Sequence, residues 1–265
     1  MIKYRGREKE NGKGTERLIG IYALKLSRIP TYRAIKDMLD PVLYRAWRER
    51  HKSLRDEKVA RASLAGLLLL DLYGYRGRLL FDQNGRPYFA DLPIDFNISH
   101  TGQYVVCAIE TPTCAESVLP SAAFASRFPS VNVSDTCKKE LFRDVLRVGI
   151  DAEDLERLGR LRLCPMAERW FTENEYEFFL SDPTEVTFAR IWTRKEALLK
   201  WTGKGLAGLR KTDVVTAESV FGVRFYEYLI DQTVVTLCCR ENALPPQKIE
   251  ALPATKLVEY GFSVT

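Results

Sequence analysis

The sequence predicts a mixed α/β fold in two parts. Stretches rich in β-branched and aromatic residues, such as Leu18–Leu26 and Tyr104–Ile109, read as strands. Between them, residues 56–73 repeat their apolar positions at helical spacing. Residues 111–147 are rich in small residues and proline and have no period, so they read as an insertion or linker between the parts.

Bulk properties narrow the function classes. A chain of 265 residues holds one large domain or two small ones with proper cores. Hydrophobic residues at 46% and charged residues at 28% describe a folded protein rather than a disordered one. Forty basic against 35 acidic residues leave +5, which suits an anionic ligand or an acidic protein partner. That excess is too small for nucleic acid, which normally leaves a basic stripe. The six cysteines form no C-x-x-C pair, and His51 and His100 complete no zinc pattern. Reduced thiols and a cytoplasmic location are therefore expected. The polar N-terminus lacks the apolar core of a signal peptide, and the run Leu64–Leu70 is too short to span a bilayer.

Residues 1–17 are charged and aperiodic and read as a tail, followed by the strand at Leu18. From Tyr32 to Arg50 the apolar residues recur at helical spacing, interrupted by Pro41. Arg45 and Arg48 stand three apart there, close enough on a helix to grip one anion. Asp56–Tyr73 is the clearest helix, with Val59 and Leu64 on its apolar flank. Leu79–Phe81 is a short strand, Asn84-Gly85 a turn, and Gly85-Arg86-Pro87 follows. In Asp95–Ile109, Asn97, Ser99 and His100 gather donors beside a tight turn, a chemistry suited to phosphate. Ser134 could cap a short helix before residue 147.

Val148–Glu153 reads as a strand whose period of two sends Asp151 and Glu153 to one face. Two carboxylates so placed repel one another unless a cation neutralises them, which points to a hard metal such as Mg²⁺. Met166–Leu180 is largely helical, with Trp170, Phe171, Phe178 and Phe179 as core candidates and Thr172 and Glu175 as a capping box. In FARIWTRKEALLKWTGKGL, Phe188, Ile191, Trp192 and Leu199 form a core stripe, while Glu196 and Lys200 share another face. Gly203-Lys204-Gly205 ends that helix, and Val220–Ile230 and Thr233–Cys239 read as two antiparallel strands.

The order FNISH, IDAE, FTENE, then WTRKEALLK with GKGL resembles the 4′-phosphopantetheinyl transferases of the Sfp type over roughly residues 18–240. The resemblance implies two similar α/β halves related by a pseudo-twofold axis: residues 18–110, and residues 148–265 carrying the metal site. It also implies an enzyme that moves the phosphopantetheine arm of coenzyme A to a serine of an acyl or peptidyl carrier protein. In such an enzyme adenosine 3′,5′-bisphosphate is released, and carriers of fatty-acid, polyketide or nonribosomal-peptide synthesis are the expected partners. A monomer with no nucleic-acid or membrane partner is expected.

Carried over by position, Asp151, Glu153 and Glu196 match the family's metal ligands. Glu196 also stands as the base for the carrier serine, and Lys200 as the group that stabilises the departing phosphate oxygen. Ser99, His100, Arg86, Lys195, Arg45 and Arg48 match positions that meet coenzyme A. Arg86 replaces the family's lysine, and Thr101 its more usual serine. Glu175 fits the family pattern either as an aid to the metal or as a helix cap. The stretch Glu110–Arg147 is longer than the family's link and leaves a second reading: a coenzyme A-binding or interaction protein of the same fold with activity lost or altered.

Overall fold

The structure, a computed structural model, describes residues 17–29, 31–92, 94–112, 147–203 and 205–259. The tail before residue 17, most of the insertion with the helix expected after Ser134, and Lys204 lie outside the described residues.

The first half opens with β1 (Arg17–Lys25). Pro41 divides the expected interrupted helix into α1 (Tyr32–Met38) and α2 (Pro41–Arg50). Proline has no N–H to lose in a first turn, so it starts α2, where Asp40 accepts from the N–H groups of Val42 and Leu43. Asp56 caps α3 (Glu57–Leu72) in the same way. β2 (Leu79–Phe81) and β3 (Pro87–Phe89) form a hairpin whose turn needs Gly85 at a φ of +84°. β4 (Asp95–His100) and β5 (Tyr104–Pro112) complete this half.

The second half begins with β6 (Gly149–Asp154). Helices Leu163–Trp170 and Glu173–Ser181 follow, the latter with the complete Thr172–Glu175 capping box. The long helix Glu185–Thr202 ends at Gly203, whose left-handed φ of 71° lets the chain turn away. β7 (Val223–Ile230) and β8 (Thr233–Arg240) close the half. Val220 belongs to a short helix, Ala217–Phe221, rather than to β7, because left-handed Gly222 breaks the chain between them.

The strands make a sheet of order β4-β5-β1-β9, a sheet of order β6-β8-β7, and the β2–β3 hairpin, where β9 is Glu250–Ala251. Alternation in each strand builds three cores. Val105, Cys107 and Ile109 pack with Leu64, Leu67 and Leu68 of α3. Val234 and Cys238 pack with Phe188, Ala197 and Leu198 of the long helix. The other faces, with Ile19, Ile21, Val106 and Ala108 on one sheet and Ile150, Ala152, Val235 and Leu237 on the other, pack together. The layers run helix, sheet, sheet, helix, and each fully buried Leu, Ile or Phe contributes about 1.5–3 kcal/mol.

Three packing expectations change. Phe178 is 55% exposed and Val59 44% exposed, because Phe179 and the α3 leucines fill the positions facing the cores. The chain also returns to the first half after β8. β9 pairs in parallel with β1, and Leu252 and Leu257 join the α3 core, so residues 250–257 do not belong with the rest of 148–265. The free edge of β1 and the apolar surface beside α3 give this segment its backbone partners and its burial.

Candidate active site

β4 and β6 are the edge strands at which the two sheets meet. With Ile150 and Ala152 committed to the core between the sheets, the alternate positions Asp151 and Glu153 turn the other way. Gly149 decides how close that face comes to the long helix. A Cβ there would lie 1.9 Å from the Ala197 carbonyl oxygen and 2.8 Å from the Trp201 nitrogen, so only glycine permits this approach.

The approach brings motifs from both halves onto one atom. Asp151 Oδ1 accepts from Ser99 Oγ at 2.8 Å and from Lys200 Nζ at 2.7 Å. Lys200 also donates to the Ile150 carbonyl at 3.0 Å. Glu196, one turn before Lys200, is pushed up to about 7 by burial and then by the charges of Asp151 and Glu153, with Lys200 opposing. Burial also raises Glu153, whose carboxylate is held by Arg157 at 2.6 Å. His100 is lowered, first by desolvation and then by the Lys200 ammonium, so its imidazole is neutral near pH 7.

Ser99, His100, Glu196 and Lys200 line a cleft of about 650 Å³ together with Arg86 and Asn97, and Asp151 lies behind its wall, hydrogen-bonded to Ser99 and Lys200. A second hollow of about 440 Å³ shares His100 and is lined by Lys58, Arg61, Glu153 and Arg157. His100 therefore stands between two pockets rich in cations, an arrangement that can hold a ligand carrying several anionic groups.

Not every expected residue arrives. Lys195 is fully buried: its ammonium donates to the Glu175 carboxylate and to the Thr212 carbonyl, and it lines neither pocket. Position 195 falls on the same helical stripe as Phe188, Ile191 and Leu199, which explains its burial. Burial lowers Lys195, and the Glu175 partner opposes that. Glu175 also accepts from the Thr172 and Val214 N–H groups, so it is a cap and a core ion pair. Arg45 and Arg48 are exposed on α2 and line neither pocket; they fold back onto the carbonyls of Pro41 and His51.

Other residues enter without a motif to announce them. Arg157, four after Glu153, is visible as an i,i+4 pair once a helix is known to follow β6. Arg50 reaches the Gly85 turn, where its Nη2 lies 3.0 Å from the place a Cβ would take. Asn84 Nδ2 donates to the Gly203 carbonyl at 2.6 Å and bridges the cleft.

Among the described residues, no three His, Cys, Asp or Glu side chains stand together closely enough to hold a metal as they lie. Lys200 and Ser99 occupy Asp151, and Arg157 occupies Glu153. The donor set still fits a hard dication by its chemistry: three carboxylates, two on one strand face, with Glu196 raised first by burial and then by the charges of the other two. No described helix is long and apolar enough to cross a membrane.

Comparison with known proteins gives the same direction. The profile of the 4′-phosphopantetheinyl transferase superfamily matches residues 147–242. A 4′-phosphopantetheinyl transferase of Bacillus pumilus is 28% identical over 204 residues, covering 71% of this chain and 70% of that protein. One from Aneurinibacillus migulanus is 32% identical over 160 residues, covering 56% of this chain and 51% of that protein, so the match spans about half its length. The holo-[acyl-carrier-protein] synthase of Treponema denticola is 35% identical over 86 residues, covering 31% of this chain and 70% of that protein. The Sfp protein of Bacillus subtilis is 26% identical over 54% of its length. With its FNISH, IDAE and WTRKEALLK motifs gathered at the junction of two sheets, this chain belongs to the 4′-phosphopantetheinyl transferase superfamily.

Proposed function

We propose that the cleft transfers the phosphopantetheine arm of coenzyme A to a serine of an apo carrier protein. The observation that supports this best is Asp151 Oδ1, where Ser99 of the first half and Lys200 of the second meet. Ser99 and His100 supply polar contacts to the phosphates of coenzyme A, and Lys200 is kept for the oxygen that departs. Asp151, Glu153 and Glu196 would hold Mg²⁺, which when bound neutralises charge on the pyrophosphate.

The carrier serine oxygen attacks the phosphorus that bears the pantetheine arm, and the bond from that phosphorus to the bridging oxygen breaks. Glu196 takes the serine proton; a carboxylate near pH 7 suits that role. Lys200 donates to the departing phosphate oxygen, and adenosine 3′,5′-bisphosphate leaves. The mild positive charge of the chain suits the acidic face of a carrier protein.

The test is to incubate the protein with coenzyme A, Mg²⁺ and a panel of apo acyl and peptidyl carriers, and to weigh each carrier. A gain of one phosphopantetheine on at least one carrier is expected. Coenzyme A binding without any gain in mass would instead favour a binding protein of this fold.

A further inference from the structure

The two halves are joined at β4 and β6 without a backbone ladder among the described residues. Alternate side chains of β4 reach across in its place. Asp95 Oδ2 accepts from the Val148 N–H at 2.8 Å, Asn97 Oδ1 accepts from the Ile150 N–H at 2.9 Å, and Ser99 Oγ donates to Asp151. This comb of period two fixes the register of β6 against β4.

Arg86 completes the comb at one end. Its Nη2 donates to Asp95 Oδ2 at 2.6 Å, to the Val148 carbonyl at 2.9 Å and to the Phe96 carbonyl at 3.2 Å. Its Nη1 donates to the carbonyl of Lys200. Lys200 lies in the last turn of the long helix, where carbonyls have no partner within the helix and a cation is favoured. Arg86 thus caps that helix from the opposite half. It also holds the Cα from which the Lys200 ammonium extends to Ile150 and Asp151. Asp95 is buried, so the pair sits in a poorly solvated position and each charge depends on the other.

We propose that Arg86, fixed by Asp95, is a positioning residue that sets Lys200 and β6 in the cleft, rather than a contact for the phosphates of the substrate. The proposal rests on reading the cleft as the transfer site. Both terminal nitrogens of Arg86 are committed to protein acceptors in different directions, and its charge is already matched by Asp95. A lysine here would carry the charge but place all its donors on one nitrogen, so it could not bridge Asp95 and Lys200 together.

The test compares Arg86→Lys, Arg86→Gln, Asp95→Asn and the double Arg86→Gln/Asp95→Asn variant in the full chain. Carrier-loading kinetics, coenzyme A affinity by calorimetry with Mg²⁺, and hydrogen exchange of the segments around residues 148–151 and 200–203 are measured for each. All single variants should lose kcat by roughly 10–100-fold, as expected when a catalytic group is displaced. Coenzyme A affinity should stay within about threefold, lysine should not rescue, and the double variant should be no worse than the worse single. Exchange should accelerate in both segments. A raised KM with unchanged kcat, restored by lysine, would make Arg86 a phosphate contact and overturn the proposal. Lower thermal stability with kcat intact would make it only a structural strut and overturn the proposal equally. If the wild type loads no carrier, the transfer reading fails, whereas the exchange measurement still decides whether Arg86 holds these segments.

Discussion

Gly149→Ala perturbs the closest approach in the structure. The added carbon would lie 1.9 Å from the Ala197 carbonyl oxygen, whereas carbon–oxygen contacts settle near about 3.3 Å, so β6 and the long helix must part by about 1.4 Å. The three nearest atoms at this point are all backbone, two of Ala197 and one of Trp201, so no side chain can rotate aside. The Lys200–Asp151 hydrogen bond of 2.7 Å would then open beyond bonding distance. Overpacking of a core costs about 1–3 kcal/mol and occasionally more, and a clash of backbone with backbone belongs at the upper end. A displacement of this size at a catalytic constellation costs on the order of 10²-fold in rate. Urea unfolding gives the first quantity and carrier loading per folded molecule the second. A variant with an unchanged unfolding midpoint and wild-type loading would refute the idea that Gly149 sets the position of Asp151.

Three further outcomes are expected. Lys195→Met strands the Glu175 carboxylate in the core and should cost about 3–5 kcal/mol in denaturant unfolding. Its coenzyme A affinity, measured on the folded fraction, should match wild type, because Lys195 does not line the cleft. Asp151→Ala should abolish transfer while leaving the fold intact, as shown by circular dichroism and a carrier mass assay; undiminished transfer would sink the metal assignment. For Asp213, burial raises the carboxyl but hydrogen bonds from Asn174, Val215, Thr216 and Thr172 outweigh it, and the net shift is downward. A depressed acid stabilises the fold above its unfolded value of 3.8 and loses that contribution as the pH falls through the folded value. Asp213→Asn should therefore be less stable than wild type at pH 7, with the gap closing below about pH 3.8 in melting curves.

Much of this arrangement is legible in the sequence because local rules carry it. Period two at Ile150-Asp151-Ala152-Glu153 sends Ile150 and Ala152 to the core and the two carboxylates away from it, and the four-residue spacing of Glu196 and Lys200 places both on the cleft. Thr172 and Glu175 announce their capping box three residues apart. What stays hidden depends on partners distant in sequence. Lys195 looks like a substrate contact when charge is read alone, although its place on the Phe188–Ile191–Leu199 stripe buries it against Glu175. Arg86 reads as a phosphate ligand from its charge and its turn, and nothing in its local sequence announces its hydrogen bonds to the carbonyls of Val148 and Lys200. The return of Glu250–Ala251 to β1 involves a two-residue strand, too short for any period to show.

If the junction at Asp151 transfers a phosphopantetheine arm, the nucleotide product reports on it directly. Coenzyme A, Mg²⁺ and an apo carrier should yield adenosine 3′,5′-bisphosphate in one-to-one proportion with modified carrier serine, separated by chromatography. Neither product should form with Asp151→Ala. Bisphosphate released without modified carrier, or equal amounts of both from the variant and the wild type, would contradict the account.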